Sequence, residues 1–291
     1  MPSVLLFILG LALGSFLNVL SLRYDPDSPV INRGVIFTRS HCPHCGKKLR
    51  WFELIPVLSF VVQNGRCRSC RARLSLQYPV VEIVSGLILV AVPYYLQANR
   101  LWIFSSAPAS VINTLAVLWV AAFLILLLIS LIDFRLKLIP DELNIALGVL
   151  GLAAVWIAAP QFGQSTGSFL RGYGMLFGLK SGIWLNHIAA ALIGALFLIF
   201  LILITRGRGM GLGDVKLTLA LGLLFGWPDI VLLLALSFVL GSVAGLFEMY
   251  KRRKTLKSAL PFGPFLTLAA TLVFFAGYDI VRLYFQLFIF R

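Results

Sequence analysis

The chain has 291 residues, of which 60% are hydrophobic and only 12% are charged. Soluble domains contain about 45–50% apolar and about 25% charged residues, so this composition excludes a soluble globular protein and places most of the chain in lipid. The net charge of +14 does not indicate nucleic-acid binding. Its basic residues stand in a few loops between apolar runs, which is typical of membrane topology.

Apolar segments recur along the whole chain, and a spanning helix needs about 20 such residues. We predict an all-α polytopic membrane protein with about eight transmembrane helices, near residues 4–22, 79–96, 111–132, 142–160, 185–205, 214–227, 229–248 and 262–290. The segment 214–227 is the shortest, at about 21 Å as a helix against a hydrocarbon core of about 30 Å. It predicts a thinned bilayer or an Asp214 that lies in a wet cavity within the membrane. No sequence repeat is apparent.

The distribution of basic residues predicts the orientation of the spans. The segment before the first span, Met1-Pro2-Ser3, has no basic residue, which argues against a cleaved secretory signal. The following loop, 23–78, carries ten Lys/Arg. With both chain ends outside, 20 of the 25 basic residues face the cytoplasm, as the positive-inside rule requires. We divide the chain into a first transmembrane helix (1–22), a cytoplasmic loop domain (23–78) and a transmembrane helical core (79–291).

Two aspartates stand at predicted membrane boundaries, where an ionisable group is a functional candidate by default. Asp133 follows the apolar run 111–132, and Asp214 follows three alternating glycines, Gly209, Gly211 and Gly213. Glycine permits close backbone approach and unusual dihedral angles. Two carboxylates that share a proton can activate water, one as base and one as acid. The alternative is two ordinary interfacial carboxylates, paired with Arg135, Arg206 or Lys216.

Helix polarity predicts how the two acids share a proton. Asp133 ends a predicted helix, at the negative end of the helix dipole, whereas Asp214 begins one, at the positive end. We therefore expect Asp214 to be the ionised partner and Asp133 to keep the proton. The pair would titrate as one coupled unit.

All four cysteines lie in the loop 23–78, as Cys42-Pro43-His44-Cys45 and Cys67-Arg68-Ser69-Cys70. This paired C-x2-C spacing is typical of a zinc site, in which four thiolates surround the metal tetrahedrally. Two disulfides or four free thiols are the alternatives, and the predicted cytosolic placement disfavours disulfides. A site with four protein ligands has no open position, so we expect a structural zinc ion. We expect His187, alone on an apolar span, to be a hydrogen-bonded structural residue.

These features together resemble the type IV prepilin peptidases, also called prepilin leader peptidase/N-methyltransferases, a family of aspartic peptidases of the GxGD type. The resemblance extends from the first span to near the C-terminus. Besides the paired C-x2-C motifs, it rests on these segments of the chain: Gly14-Ser15-Phe16-Leu17-Asn18-Val19, Trp51-Phe52-Glu53-Leu54-Ile55-Pro56, Tyr78-Pro79-Val80-Val81-Glu82, Asp133 with Ile139-Pro140-Asp141, Gly211-Leu212-Gly213-Asp214-Val215-Lys216 and Pro261-Phe262-Gly263-Pro264.

The resemblance implies a membrane aspartic endopeptidase of the bacterial inner membrane. Such an enzyme cleaves the leader of type IV prepilins and of pilin-like type II secretion proteins after a glycine, on the cytoplasmic face. It then methylates the new N-terminal residue with S-adenosylmethionine. By motif match Asp133 and Asp214 are the catalytic residues, and the supporting residues are Gly211, Gly213, Asp141 and Lys216.

The cysteine loop is implied for the methylating members of the family, so its presence favours methyltransferase activity. Asn18, Glu53 and Glu82 are the candidates for that activity. A pairing of Glu53 with neighbouring arginines is the structural alternative. Two other functions compete with this interpretation: a prepilin peptidase without methylation, and a transporter with a zinc-stabilised loop. A transporter predicts carboxylates near mid-membrane, whereas the key acids here cluster at one face.

Overall fold

The computed structural model describes residues 2–32, 34, 38–99, 107–162, 168–177, 182–207, 209–251 and 260–288, and these residues are helical apart from loops and two isolated β-bridges. The predicted all-α class is confirmed. The α-helices of these residues are α1 (Pro2–Arg23), α2 (Leu58–Val62), α3 (Gln77–Ala98), α4 (Ala109–Leu136), α5 (Asp141–Phe162), α6 (Gly172–Phe177), α7 (Ile183–Ile204), α8 (Leu212–Phe225), α9 (Asp229–Tyr250) and α10 (Gly263–Phe288). A 3-10 helix, Trp51–Leu54, precedes α2.

Seven helices of the described chain are long and apolar enough to cross a membrane, namely α1, α3, α4, α5, α7, α9 and α10. Each overlaps a predicted span, so the protein is a multi-pass membrane protein. The predicted span at 214–227 is the helix α8, which has only 14 residues and is not one of the seven. The basic residues Arg33, Arg208, Arg252, Arg253, Lys254 and Lys257, which the predicted topology places in the cytoplasm, lie outside the described residues.

The chain forms two compact units, Met1–Tyr94 and Tyr95–Arg291, with the boundary inside α3. In the first unit, α1 and α3 pack antiparallel through small residues. A Cβ on Gly10 would lie 2.6 Å from the Cα of Gly86, and one on Gly14 would lie 2.6 Å from the Cα of Glu82. Small residues allow this close backbone approach between membrane helices. The packing brings the end of α1 and the start of α3 to the same side.

The short helix α8 is the centre of the second unit, where it packs against α5, α7, α9 and α10. Nine of its 14 residues are buried. Glycines again allow the contact, since a Cβ on Gly222 would lie 2.4 Å from the Cα of Ala191, and one on Gly151 would lie 3.0 Å from the backbone of Leu223. Neighbouring helices enclose α8, so it need not match the thickness of the hydrocarbon core.

Aromatic side chains pack around the last turn of α8. The indole of Trp119 lies with its ring centroid 5.0 Å from that of Phe225 and 4.9 Å from that of Phe274, within the range of favourable aromatic contacts. Nearby, His187 forms a 2.8 Å hydrogen bond between its Nδ1 and the carbonyl of Leu223. The predicted structural role of this histidine is confirmed. These contacts fix the end of α8 that lies away from Asp214.

Candidate active site

Asp133 lies in the last turn of α4 and is only 4% exposed. The helix ends at Leu136 because Lys137 adopts a left-handed conformation, with φ of 54°, and donates its N–H to the carbonyl of Asp133 at 2.8 Å. This is a common way to end a helix. It leaves the carboxylate of Asp133 within the bundle rather than in the following turn.

The start of α10 supplies a hydrogen-bond donor to Asp133. The N–H of Gly263 donates to Oδ2 of Asp133 at 2.9 Å. This position has no room for a side chain, because a Cβ on Gly263 would lie 2.7 Å from the same oxygen. Gly263 therefore contributes both a backbone donor and the space in which the carboxylate sits. Sequence reasoning did not select this residue as a site residue, although it lies in the motif Pro261-Phe262-Gly263-Pro264.

Asp214 occupies the first turn of α8 and is 9% exposed. Its Oδ2 accepts the N–H of Gly211, the residue before the helix, at 3.1 Å. A carboxylate at this position caps the free N–H groups of the helix and lies at the positive end of its dipole. The predicted placement of Asp214 at a helix start is confirmed.

The glycines before Asp214 act differently from the prediction. Neither Gly211 nor Gly213 has a positive φ, so unusual dihedral angles are not their function. Gly213 instead permits close approach, since a Cβ there would lie 3.3 Å from Cβ of Ile139, in the connection between α4 and α5. Gly211 is exposed, and the nearest atoms to a Cβ there would be 3.9 Å away. Gly211 thus leaves an open approach beside Asp214.

The two aspartates are brought together by this packing. Ile139, in the connection that follows α4, lies against Gly213 in the first turn of α8, and the charge of Asp133 acts on the carboxyl group of Asp214. Neighbouring carboxylates that are both buried disfavour double ionisation, so a pair of this kind can hold a single proton. The arrangement can hold a water molecule between a base and an acid.

The prediction that Asp133 keeps the proton rested on the opposite polarities of α4 and α8, and a third helix, α10, changes that comparison. Asp133 does end a helix, but its carboxylate also accepts the N–H of Gly263 at the positive end of α10. Asp214 receives one equivalent donor from Gly211. Because each acid has one backbone donor at a helix start, helix dipoles do not separate their proton affinities.

Two of the predicted supporting residues form an ion pair beside the aspartates. Nζ of Lys216 lies 2.7 Å from Oδ2 of Asp141, with side chains that are 52% and 61% exposed. Lys216, one of the cations considered as a partner for the two aspartates, is therefore paired with Asp141. An exposed pair contributes little to stability, about 0–1 kcal/mol. It links the start of α5 to the first turn of α8, which carries Asp214.

The four cysteines form one cluster in the first unit, with all four Sγ atoms within 4.8 Å of one another. Their backbones build the same turn twice. In the first turn the N–H of Cys42 bonds to the carbonyl of Lys47, and in the second that of Cys67 bonds to the carbonyl of Ala72. Gly46 and Arg71 hold the same left-handed position in the two turns, with φ of 69° and 56°.

The two turns show that the loop contains a short structural repeat, 25 residues apart. It is a repeat of backbone conformation rather than of sequence, since only the cysteines and the leucines Leu49 and Leu74 are shared between the two copies. The N–H groups of Cys70 and Ser69 point at the Cys67 sulfur and lower the pKa of its thiol to about 7. Backbone donors of this kind favour the thiolate, which is the form that binds metal. The cluster fits a metal ion.

The three candidates for methyl transfer lie in the first unit in different settings. Asn18 is buried and donates through Nδ2 to the carbonyl of Tyr78 at 3.2 Å. Glu82 is buried and accepts the N–H of Val57 at 2.7 Å. Glu53 is half-buried and accepts the N–H of Arg50 at 2.8 Å, which caps the 3-10 helix. This contact of Glu53 is thus with an arginine backbone rather than with a guanidinium group.

The described residues therefore define a polytopic membrane protein with a buried carboxylate pair and a four-thiol cluster. Residues 8–96 match the family described as Bacterial Peptidase A24 N-terminal domain, and residues 120–246 match the Type IV leader peptidase family. With the relatives below, these matches show that the chain belongs to the type IV leader peptidase family. The matched regions contain the cysteine cluster and the two aspartates, respectively.

Curated relatives cover nearly the whole chain. A protein of Burkholderia pseudomallei is 32% identical over 92% of this chain and 84% of its own length. Proteins of Stutzerimonas stutzeri and Pseudomonas aeruginosa are 29% and 30% identical, each over 96% of this chain and 92% of its own length. All three are named prepilin leader peptidase/N-methyltransferase. No solved structure matches the chain.

The contact at Gly263 predicts a loss of activity without a comparable loss of stability. In Gly263→Ala the new methyl group would collide with the carboxylate of Asp133. Because this carboxylate can rotate away, the protein stays folded, but the hydrogen bond from the N–H of residue 263 to Asp133 is lost. A misplacement of about 1 Å can cost about 100-fold in rate. We expect prepilin cleavage to fall by about 10- to 100-fold, measured by leader removal in a reconstituted assay.

Gly245→Ala is the matched control, because its Cβ would meet Leu260 at an ordinary 3.5 Å. It should retain the cleavage rate, and both variants should keep the thermal unfolding temperature of the unmodified protein within a few degrees. Full activity of Gly263→Ala would show that Asp133 does not depend on the space at residue 263.

Proposed function

We propose that this chain cleaves the leader of type IV prepilins and pilin-like secretion proteins, and that Asp133 and Asp214 are the catalytic pair. The observation that carries the proposal is the meeting of two buried carboxylates from α4 and α8, each held by one backbone N–H. The curated relatives carry the same activity in their names. The substrates would be prepilins with a charged leader joined to an apolar helix.

The reaction follows from a shared proton. The ionised carboxylate takes a proton from water as the water oxygen attacks the scissile carbonyl carbon, and the protonated carboxyl donates its proton to the carbonyl oxygen. The resulting diol collapses when the protonated carboxyl donates its proton to the amide nitrogen and the other carboxylate takes a proton from a diol hydroxyl. The C–N bond then breaks, and the amine and the carboxylic acid are released. The pair ends with one proton, as it began, and no covalent enzyme intermediate forms.

Several neighbours support this chemistry. The open side of Gly211 gives an extended substrate backbone a place beside Asp214. Gly213 permits the contact that brings the two acids together, and the pair Lys216–Asp141 holds the start of α8 against α5. We assign the cleavage to the peptide bond after a glycine, on the cytoplasmic face of the bacterial inner membrane. Both chain ends would then lie outside, consistent with the basic residues of the loops.

Isosteric substitution tests the catalytic pair. Asp133→Asn and Asp214→Asn keep an oxygen that can accept the N–H of Gly263 or Gly211, but neither can act as base or carry the shared proton. General acid–base catalysis contributes about 10²- to 10⁴-fold, so we expect leader removal to fall by at least that factor in each variant. The measurement is the rate of prepilin cleavage by purified protein in lipid.

Asp141→Asn is the matched control, because Asp141 is exposed and its pairing with Lys216 can be weakened without removing either buried acid. It should lose less than about tenfold. Normal processing by both Asp133→Asn and Asp214→Asn would remove the aspartic-peptidase assignment.

We further propose that the four cysteines bind one structural zinc ion. Four thiolates within 4.8 Å suit tetrahedral coordination, and no position remains open for a substrate. The ion would fix the two turns relative to each other. Elemental analysis of the purified chain should find one zinc ion per chain, and Cys70→Ser should lose it. A stable, metal-free native protein would contradict the assignment.

The second proposed activity is methylation of the new N-terminal residue, with S-adenosylmethionine as methyl donor. The donor would supply an electrophilic methyl group to the free amine. The candidate residues for this methyl transfer are Asn18, Glu53 and Glu82. Of these, Glu82 and Asn18 are buried polar groups, and the backbone donor to Glu82 comes from Val57, a β-branched residue at an unusual φ of 61°. Such strain is often retained at functional sites.

Isotope transfer separates the bifunctional enzyme from a peptidase without methylation. We expect label from a methyl-labelled donor to appear on the processed pilin. Glu82→Gln should reduce this transfer by at least about tenfold, because a neutral amide cannot accept a proton from the amine, and should leave leader removal unchanged. An unmodified chain that cleaves but transfers no label would establish the peptidase-only alternative.

A further inference from the structure

A half-open cavity of about 800 Å³ lies in the loop between α1 and α3, beside the second cysteine turn. One wall is apolar and includes Ile55, Leu58 and Val62. The other carries three arginines, Arg66, Arg68 and Arg71, and no acidic side chain lines the cavity. Volumes of about 300–1,000 Å³ are typical of ligand sites.

The apolar residues of the cavity are largely exposed. Leu58 and Val62 are 56% and 71% exposed, and Trp51, close by in the 3-10 helix, is 78% exposed. Exposed apolar groups rimmed by basic residues are typical of segments that lie in the membrane interface. Tryptophan is enriched at that level of the bilayer.

The position of the loop brings this surface to the membrane. Because α1 and α3 pack antiparallel as candidate spans, the residues between Arg23 and Gln77 emerge from one face of the bilayer. The two helix ends are joined by the hydrogen bond from Asn18 to the carbonyl of Tyr78. The N–H of Val57, next to Leu58 of the cavity, also donates to Oε2 of Glu82 near the start of α3 at 2.7 Å, so the cavity lies close to the ends of these two candidate spans.

Charge selects among the possible occupants of the cavity. None of the three arginines pairs with a carboxylate among the described residues, and Arg68 lies over the ring of Phe52 at 5.4 Å. A basic leader peptide would be repelled by three guanidinium groups. S-adenosylmethionine carries a net positive charge and would meet no compensating acid there. An anion with an apolar portion fits both walls.

We propose that this cavity is a binding site for an anionic phospholipid. Arg66, Arg68 and Arg71 would bind the phosphate, which guanidinium groups recognise through paired N–H donors. The acyl chains would lie along Leu58 and Val62 and continue into the bilayer. All the residues that line the cavity belong to the first unit.

Native mass spectrometry of the full-length protein in a neutral detergent tests the proposal. Dioleoyl phosphatidylglycerol, dioleoyl phosphatidylcholine and glycerol phosphate are titrated separately. We expect one phosphatidylglycerol to bind in preference to phosphatidylcholine. The triple variant Arg66→Gln, Arg68→Gln, Arg71→Gln should bind it at least about tenfold more weakly, because each basic group near an anionic headgroup contributes about fivefold.

The repeated turn provides a control with equal charge loss. Lys47, Lys48 and Arg73 are exposed basic residues of the same two turns that do not line the cavity. The triple variant Lys47→Gln, Lys48→Gln, Arg73→Gln should bind phosphatidylglycerol within about twofold of the unmodified protein. Metal content, measured on each variant, reports whether the cysteine turns have folded.

Three results would overturn the proposal. Equal weakening in the two triple variants would mean general attraction to a basic surface rather than a site. Binding of phosphatidylcholine as tight as that of phosphatidylglycerol would remove the role of the arginines. Glycerol phosphate that binds as tightly as the lipid would identify a soluble phosphate ligand instead.

Discussion

The close packing of α8 against its neighbours is the constraint on which the candidate active site depends. A helix of 14 residues is too short to cross the hydrocarbon core, so other helices must enclose it. Glycines at the interfaces bring the backbones of α5 and α7 to within contact of α8. Since helices are stiff, the position of the packed end sets the position of Asp214 at the other end.

The same arrangement explains how two carboxylic acids can be buried within the helix bundle. A buried carboxylate without a donor is strongly destabilised, and each of these receives one backbone N–H from the start of a helix. A backbone N–H does not titrate, so these two donors are present at every pH at which the protein is folded. They hold the carboxylates in place while leaving their other oxygens available to water and substrate.

The sequence was sufficient to predict elements that repeat a strong local signal. The lengths of the apolar runs predicted the positions of the long helices that the structure describes, and the C-x2-C spacing predicted the thiol cluster. Contacts between distant segments were not predictable, because a single chain contains no signal for which helix starts meet. Gly263 is 130 residues from Asp133, and its N–H donor follows only from the packing of α10 against α4. The repeat in the cysteine loop was missed because it is a repeat of backbone conformation.

The two cysteine turns flank the 3-10 helix and α2 in the chain, so a metal ion bound to the cluster would close a chain loop whose middle is apolar and exposed. Closing a loop of this length restricts the free chain far more than it restricts the folded one. Tethering at both ends keeps Trp51 and α2 in one orientation. Released from that tether, the segment would expose the same apolar groups to self-association. A metal ion bound to the cluster would therefore oppose self-association of this segment as well as fix its local shape.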